Sequence, residues 1–339
     1  MMLLLRALRI TPVALAAMLS ASNAALAQRA AAGAEAAPQG QAYPHKPIRF
    51  VVPYSVGGAT DIVSRILAQR MGDSMGQQVI VDNRPSAGAI VGMELVANAT
   101  PDGYTILMSN IALGANTSLY SKLPYDAEKS FAPVSLVAQL PILLLAHPSL
   151  PVKSVAELVA LSKSRPGGFN YASAGSGSAN HLAMELLKSV TGLNAVHIPY
   201  KGGGPALVDL VAGQVSLLCV TIPPALQLVK SGRVVGLGVS SAKRVAALPE
   251  VPTIAESGVP GFEVYEWQGV VAPAGTPAAI IRRLNAEIVA ALQIADVKER
   301  ISGLGAEVVG SSPEQFAAHI KAELARWSRV LKAAGIRAD

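Results

Sequence analysis

The sequence predicts an α/β protein of two domains, each built on a parallel sheet, and three observations carry that prediction. From Ile48 onward short β-type runs alternate with amphipathic stretches of helical period, the pattern of strands joined by crossover helices. Glycine-bearing turns sit between run and helix. Two long apolar segments, Phe131 to Leu145 and Val264 to Ala272, divide one such series from a second, in a chain longer than a single hydrophobic core usually organises.

In the first series Ile48-Arg49-Phe50-Val51-Val52 reads as a buried strand, and Ile62, Val63, Ile66 and Leu67 recur at helical spacing directly after Gly57-Gly58. A second strand follows at Val79 to Val81, a helix at about Ala89 to Ala97, and a third strand at Tyr104 to Met108.

The second series opens at Ser154-Val155-Ala156-Glu157, which has capping-box spacing: the serine accepts from a backbone amide while the glutamate reaches back. That helix runs to about Ser164. Next come a strand at Phe169 to Ala172, a helix from Ser178 to Val190, a strand at Ala195 to Ile198, and a helix opening at Gly204-Pro205, where proline has no amide to waste. Strands at Ser216 to Val220 and Val235 to Val239 close the series. Beyond Ala272 the sequence predicts a helix from Thr276-Pro277, a short strand at Glu307 to Val309 and a last helix from Ser312-Pro313-Glu314-Gln315. The two long apolar segments read as paired hinge strands that carry the chain out of the first domain and back. The expected domains are therefore 43–143 with 264–339, discontinuous, and 144–263.

The first 27 residues carry Arg6 and Arg9, an apolar run from Ile10 to Leu19 and the small-residue exit Ala25-Leu26-Ala27, the pattern of a secretory signal peptide cleaved near Ala27. The run is shorter than the roughly 20 residues of a membrane helix. Residues 28–42 read as a disordered Ala-rich leader. Loss of the two arginines lowers the formal charge from +6 by two, to +4. A mild positive excess favours anionic small ligands, but the basic residues are scattered and form no stripe of the kind nucleic acid requires. Cys219 is the only cysteine and reads as a buried core thiol, which excludes an intramolecular disulfide framework and a Cys-cluster metal site.

Three loops share one physical design: Pro53 to Asp61, Ser173 to Ser178, and Tyr200 to Pro205. Each follows a strand and opens a helix. Glycines let backbone approach a ligand, and first-turn amides present the positive end of the helix dipole to a carboxylate or phosphate. Loops at the carboxyl ends of strands in both domains would face one another across a cleft. Tyr54 and Trp267 read either as core residues or as aromatic walls of that cleft, and Lys201 either as a ligand partner or as a solvated lysine.

Catalytic motifs fare poorly. No G-x-S-x-G surrounds Ser173, Ser176 or Ser178, and neither G-x-G-x-x-G nor a Walker lysine occurs in the glycine loops. His181 and Glu185 lie four apart on one helix face, but two ligands leave a metal site incomplete. His181 more plainly hydrogen-bonds near its helix start. The residues alone favour a binding protein. An enzyme acting on a periplasmic carboxylate, or a sensing or partner protein with no transport role, remain the rivals.

The order Pro53-Tyr54-Ser55-Val56-Gly57-Gly58-Ala59-Thr60-Asp61, Asn83-Arg84-Pro85 and Pro101-Asp102-Gly103-Tyr104-Thr105 resembles the Bug-type (TctC-like) receptors of tripartite tricarboxylate transport. So do Ser173 to Leu182, Ile198-Pro199-Tyr200-Lys201-Gly202 and Leu248 to Gly258, and the similarity covers the chain from Tyr43 onward. The resemblance implies a periplasmic-binding-protein-like flytrap of type II, two α/β domains joined by two crossing hinge strands. It also implies a monomer in the periplasm that takes a small mono- or dicarboxylic acid for uptake, with no cofactor and no metal, and delivers it to a membrane permease or a sensor kinase. Carried onto this chain, Tyr54, Ser55, Val56, Gly57, Gly58, Thr60 and Asp61 hold one end of the ligand. Ser173, Ala174, Gly175, Ser176, Gly177, Ser178 and His181 close over it. Lys201, Gly202, Gly203 and the Thr221-Ile222-Pro223 turn line the remaining wall with Gly88, Asn110 and Trp267. One departure matters. Where the family is expected to have Arg-Pro-Gly-Ala-Gly-Gly-Asn, this chain has Arg84-Pro85-Ser86-Ala87-Gly88-Ala89-Ile90, which points to a less polar pocket and an acid with an apolar or aromatic body over citrate.

Overall fold

In the computed structural model the residues described are 43–165, 167–200 and 202–337. The signal peptide, the leader and Lys201 lie outside them. Ile48–Val52 forms β1, flanked in parallel by β2 (Val79–Asn83) and β3 (Thr105–Asn110). The crossovers are α1 (Ala59–Met75) and α2 (Ile90–Ala97). Strand β1 is buried at Ile48, Phe50, Val51 and Val52, as a strand covered on both faces must be.

The chain then enters α3 (Ala112–Leu119) and the long strand β4 (Phe131–Ala146). Residues Phe131 to Pro141 of β4 pair antiparallel with β9 (Tyr265–Pro273), while Ile142 to Ala146 pair with β7 (Leu217–Thr221) and β8 (Val235–Val239). Strand β7 continues in parallel to β5 (Asn170–Ser173), and β5 to β6 (Val196–Pro199). The strand order is β2-β1-β3-β9-β4-β7-β5-β6, with β8 and the short β10 (Glu307–Val308) also on β4. Two α/β lobes thus share one through-going strand. The expectation of parallel sheets holds within β1–β3 and β5–β7 but fails at β4, β8, β9 and β10, which pair antiparallel. A strand that leaves one lobe and a strand that returns to it must run in opposite directions.

In the second lobe the helices are α4 (Val155–Ser164), α5 (Ala179–Thr191), α6 (Gly203–Val211) and α7 (Ile222–Lys230). The chain ends with α8 (Ala278–Gln293), α9 (Ala295–Ser302) and α10 (Pro313–Ala334). Ser154 caps α4 by accepting from the Glu157 amide, and the Glu157 carboxylate reaches back to the Lys153 amide, one residue before the cap. At α10 the reciprocal box is complete, Ser312 and Gln315 each accepting from the other's amide. Sequence periodicity missed α3, α7 and α9. Helix α3 is buried on nearly every side, so it carries no polar stripe. In α7, Ile222-Pro223 looks like a turn and is instead a first helical turn, where proline gives up no needed amide.

Alternate residues of β4 serve two cores. Ile142, Leu144 and Ala146 join a cluster running from Val51 and Met93 through Trp267 and Trp327 to Tyr171 and Leu182. Leu143 and Leu145 face a second cluster with Leu207, Leu218 and Val239. Each such leucine is worth about 1.5–3 kcal/mol when fully buried. Cys219 lies in the first cluster, as expected, and burial pushes its thiol up to about 12. Close packing forces Gly269 on β9: a Cβ there would stand 2.2 Å from Phe316 Cζ on α10. Among the described residues no helix is long and apolar enough to cross a membrane.

Candidate functional site

The first glycine loop joins β1 to α1. Ser55, Val56, Gly57 and Gly58 are exposed, and Gly57 takes φ +86°, a left-handed value that favours glycine. Gly58 caps α1 without any side-chain hydrogen bond, so the first-turn amides are not claimed by a local side chain. Asp61, expected as a ligand contact, has another task. It is 1% exposed and its carboxylate accepts from the Gly57 amide at 2.9 Å, from Arg65 Nε at 3.0 Å and from Asn83 Nδ2 at 2.9 Å. Burial alone would raise its pKa; Arg65, Gly57 and Asn83 together outweigh that and hold it below the usual carboxylate range. Asp61 is the brace of the loop, and Gly92 is its support: a Cβ on Gly92 would stand 2.6 Å from Pro53 Cβ.

Beneath this loop lies a polar cluster drawn from four elements. The Tyr54 hydroxyl accepts from Asn110 Nδ2 at 2.7 Å, and Asn110 Oδ1 in turn accepts from the Ala112 amide at 3.1 Å, which ties the loop to the end of β3. Burial, then the charge of Glu266, pushes the Tyr54 phenol well above its ordinary pKa. Thr60 is buried; its Oγ accepts from Gln268 Nε2 at 3.3 Å and donates to Glu266 Oε1 at 3.5 Å. Glu266 and Gln268 were missed by sequence reading, which chose the residue between them. Strand alternation decides the matter. Trp267 is 1% exposed, donates from Nε1 to Glu323 Oε2 at 3.0 Å and packs edge-on against Phe316 at 5.6 Å. It belongs to the core beneath α10 and not to a cleft wall, while Glu266 and Gln268 face the loop.

The second glycine loop joins β5 to α5. Ser173 is fully buried; its Oγ accepts from the Gly175 amide at 3.0 Å and lies 2.7 Å from His197 Nε2. Ala174, Gly175 and Ser176 are half-buried. Ser178 caps α5 by accepting from the His181 amide at 3.3 Å. The Gly177 amide donates to His181 Nδ1, also at 3.3 Å, so the neutral ring carries its proton on Nε2. His181 and His197 rings lie 4.2 Å apart over Tyr171, whose hydroxyl donates to Glu185 beside Lys188. Burial lowers His181 to about 3, with the charges of His197 and Lys188 adding to it. His197 falls to about 4, again through burial first. His181 acts on the loop from behind, and Glu185 is engaged by Tyr171 and Lys188.

The two lobes meet at glycines. A Cβ on Gly177 would stand 3.1 Å from Leu119 Cδ1, 3.4 Å from Asn116 Oδ1 and 3.8 Å from Gly88 Cα. Asn116, on the helix sequence reading missed, is fully buried; its Nδ2 donates to the Gly88 carbonyl at 2.7 Å and its Oδ1 has no partner among the described residues. The loop at Ser86 to Ile90 therefore sits on the seam. There Ala89 takes φ +62°, a left-handed value at a position where the resemblance leads us to expect glycine. The left-handed backbone costs about 1–2 kcal/mol, and burial of the Ala89 methyl in the core returns about 0.8 kcal/mol.

The third loop brings Gly202 and Gly203 beside the second: a Cβ on Gly175 would lie 3.3 Å from the Tyr200 carbonyl, and one on Gly203 would lie 3.9 Å from Asn180 Nδ2. Gly202 caps α6 and Thr221 caps α7, both without side-chain hydrogen bonds. Ile222 is buried, in reach of Gly305. The strands β5, β6 and β7 thus end on one side, as β1 and β3 do in the first lobe. Loops that pair glycine freedom with uncommitted helix-start amides are suited to an anion. Among the described residues no group of three or more His, Cys, Asp or Glu is placed to hold a metal ion.

Comparison with known proteins accords with this geometry. Residues 63–336 match the family described as "Tripartite tricarboxylate transporter family receptor". Protein BugT of Bordetella pertussis is 39% identical over 310 residues, 91% of this chain and 95% of that one. Among solved structures, the periplasmic binding protein BugD is 38% identical with a TM-score of 0.79, covering 87% of this chain and 99% of that one. R. palustris Rpa4515 with adipate is 39% identical with a TM-score of 0.80, again covering 87% and 99%.

Proposed function

The chain belongs to the tripartite tricarboxylate transporter family of receptors, and from that premise we propose that it captures a small carboxylate between its lobes in the periplasm and releases it unchanged for uptake. The observation that carries the reading is the seam where Gly177 of the second lobe meets Gly88 and Asn116 of the first. One domain comprises residues 43–143 and 264–339, the other 144–263. Closure brings the loops at the starts of α1 and α5 together over the ends of β1, β3 and β5, with rotation taken up in β4 and β9.

The ligand is held by Tyr54 to Gly58 and Thr60 at one end and by Ala174 to Ser178 at the other, with Gly88, Asn110, Gly202, Gly203 and Thr221 lining the space between. A carboxylate leaving water must have its hydrogen bonds replaced, which the uncapped helix starts and glycine loops supply. The adipate of the R. palustris relative favours a dicarboxylic acid with an apolar body. The protein works as a monomer, loses its signal peptide near Ala27 and hands its cargo to a membrane permease. A thermal-shift screen of adipate, malate, benzoate and citrate tests this. A ligand at 100 times its Kd adds about 2.7 kcal/mol, a shift of several degrees. No shift with any acid defeats the reading, and chemical conversion of a bound acid would turn it toward an enzyme.

A further inference from the structure

Glu266 is a carboxyl group set into the polar cluster beneath the first glycine loop, on a strand that also takes part in the hinge. The register places it opposite Leu140 of β4, two residues before Gln268, which pairs opposite Asn110 of β3. It is half-buried, and Thr60 and Asn110 hydrogen-bond to it. The groups that face it are few. The β1–α1 loop presents the Tyr54 phenol, α1 the Thr60 hydroxyl, β3 the Asn110 amide and β9 itself the Gln268 amide, while β4 presents only aliphatic Leu140. Tyr120 and Tyr125 act on Tyr54 from α3 and the segment after it. Asp61, the next residue after Thr60, is engaged by Arg65 and Asn83. Among the described residues no Lys, Arg or His offsets the charge of Glu266.

A carboxylate so placed is in conflict with an anionic cargo. Burial pushes it up to about 6, with the bonds from Asn110 and Thr60 pulling partly back. A ligand carboxylate delivered to the loop above it, in a closed and water-poor cleft, raises the cost of its ionised form further. The conflict is resolved when one of the two carboxyl groups is neutral, and a neutral acid then becomes a hydrogen-bond donor to the other.

We propose that Glu266 is a specificity-determining residue of the cleft that takes up one proton from solvent as a carboxylate is captured and donates its O–H to that ligand. The inference rests on the carboxylate-capture reading above. No ligand bond changes; the ligand and the proton bind together, and the proton offsets one negative charge in the cleft.

The test is binding of adipate to the full processed protein and to Glu266→Gln at several pH values. If only the protonated form captures the ligand, the apparent Kd of the natural protein rises up to about 50-fold from pH 6 to pH 8. Isothermal titration in two buffers of different ionisation enthalpy then reports uptake of up to one proton at pH 8. Glu266→Gln, which keeps shape and a donor, should bind adipate at pH 8 more tightly than the natural protein and lose most of the pH dependence. Zero proton uptake by the natural protein on binding adipate, or an unchanged pH slope in Glu266→Gln, overturns the proposal. A uniform loss of affinity in Glu266→Gln at every pH also overturns it, because it would mark an ionised acceptor for a ligand donor. Should adipate not bind, the same measurements use whichever of malate, benzoate and citrate does; failure of all four to bind the natural protein at any pH is a separate result that defeats the capture reading itself.

Discussion

Gly177→Ala separates a cost of folding from a cost of closing. The residue takes φ +79°, so alanine carries a backbone penalty of about 1–2 kcal/mol whether the lobes are open or closed. That part appears in the melting temperature, at about 2–4 °C per kcal/mol for a chain of this size. The added methyl would also stand 3.1 Å from Leu119 Cδ1, inside the optimum of about 3.5–4.0 Å for carbon contacts, while its 3.4 Å approach to Asn116 Oδ1 is ordinary contact. Leu119 is 1% exposed and has little room to withdraw. Overpacking of this kind costs about 1–3 kcal/mol, and it exists only when the lobes meet. The ligand must therefore work against it, and affinity falls by about 5- to 150-fold. Titration calorimetry with adipate reads the second cost and differential scanning calorimetry of the free protein reads the first. Leu119→Ala removes the atom that Gly177→Ala strikes, so the double variant should recover part of the lost affinity relative to Leu119→Ala alone. A lower melting temperature with unchanged affinity would refute the reasoning, since the seam would then not be a contact made on capture.

Asp61→Ala removes the brace of the first loop, leaves the Gly57 and Asn83 donors without their acceptor and should cost about 1–3 kcal/mol together with weaker ligand binding. Because the folded-state pKa of Asp61 is depressed, its contribution is present above the unfolded value and is lost as pH falls through the folded one, so Asp61→Asn should flatten the acid limb of a stability-versus-pH curve. Trp267→Phe deletes an indole bond to the Glu323 carboxylate and should cost about 1.5–3 kcal/mol in urea unfolding while leaving ligand affinity within about twofold; a selective loss of affinity would return Trp267 to the cleft wall. His181 and His197 are held neutral at about 3 and about 4, below the unfolded value, so the unfolded chain binds more protons and stability falls as pH drops from about 6.5 toward 4. His181→Asn should shrink that fall in thermal melts between pH 7 and pH 4.5.

The alternation of β runs with amphipathic helices, the three glycine loops and the long segments at Phe131 and Val264 were legible along the chain, because each is a local pattern set by backbone period or by the conformational freedom of glycine. Helix α3 was not, since burial on nearly all sides erases the polar stripe by which a helix announces itself, and with it went Asn116, the residue at the seam. The choice among Tyr265, Glu266, Trp267 and Gln268 was not legible either. Both faces of β9 are covered, one by α10 and the other by the first loop, so a tryptophan fits either side until the register with β3 and β4 settles its direction. That Gly88 and Gly177 should touch is a matter of how two lobes close on one another, and no local rule links residues so far apart in the chain. Sequence alone sufficed for what each segment prefers to be; which face a side chain takes, and which loop answers which, were decided only when distant segments competed for the same space.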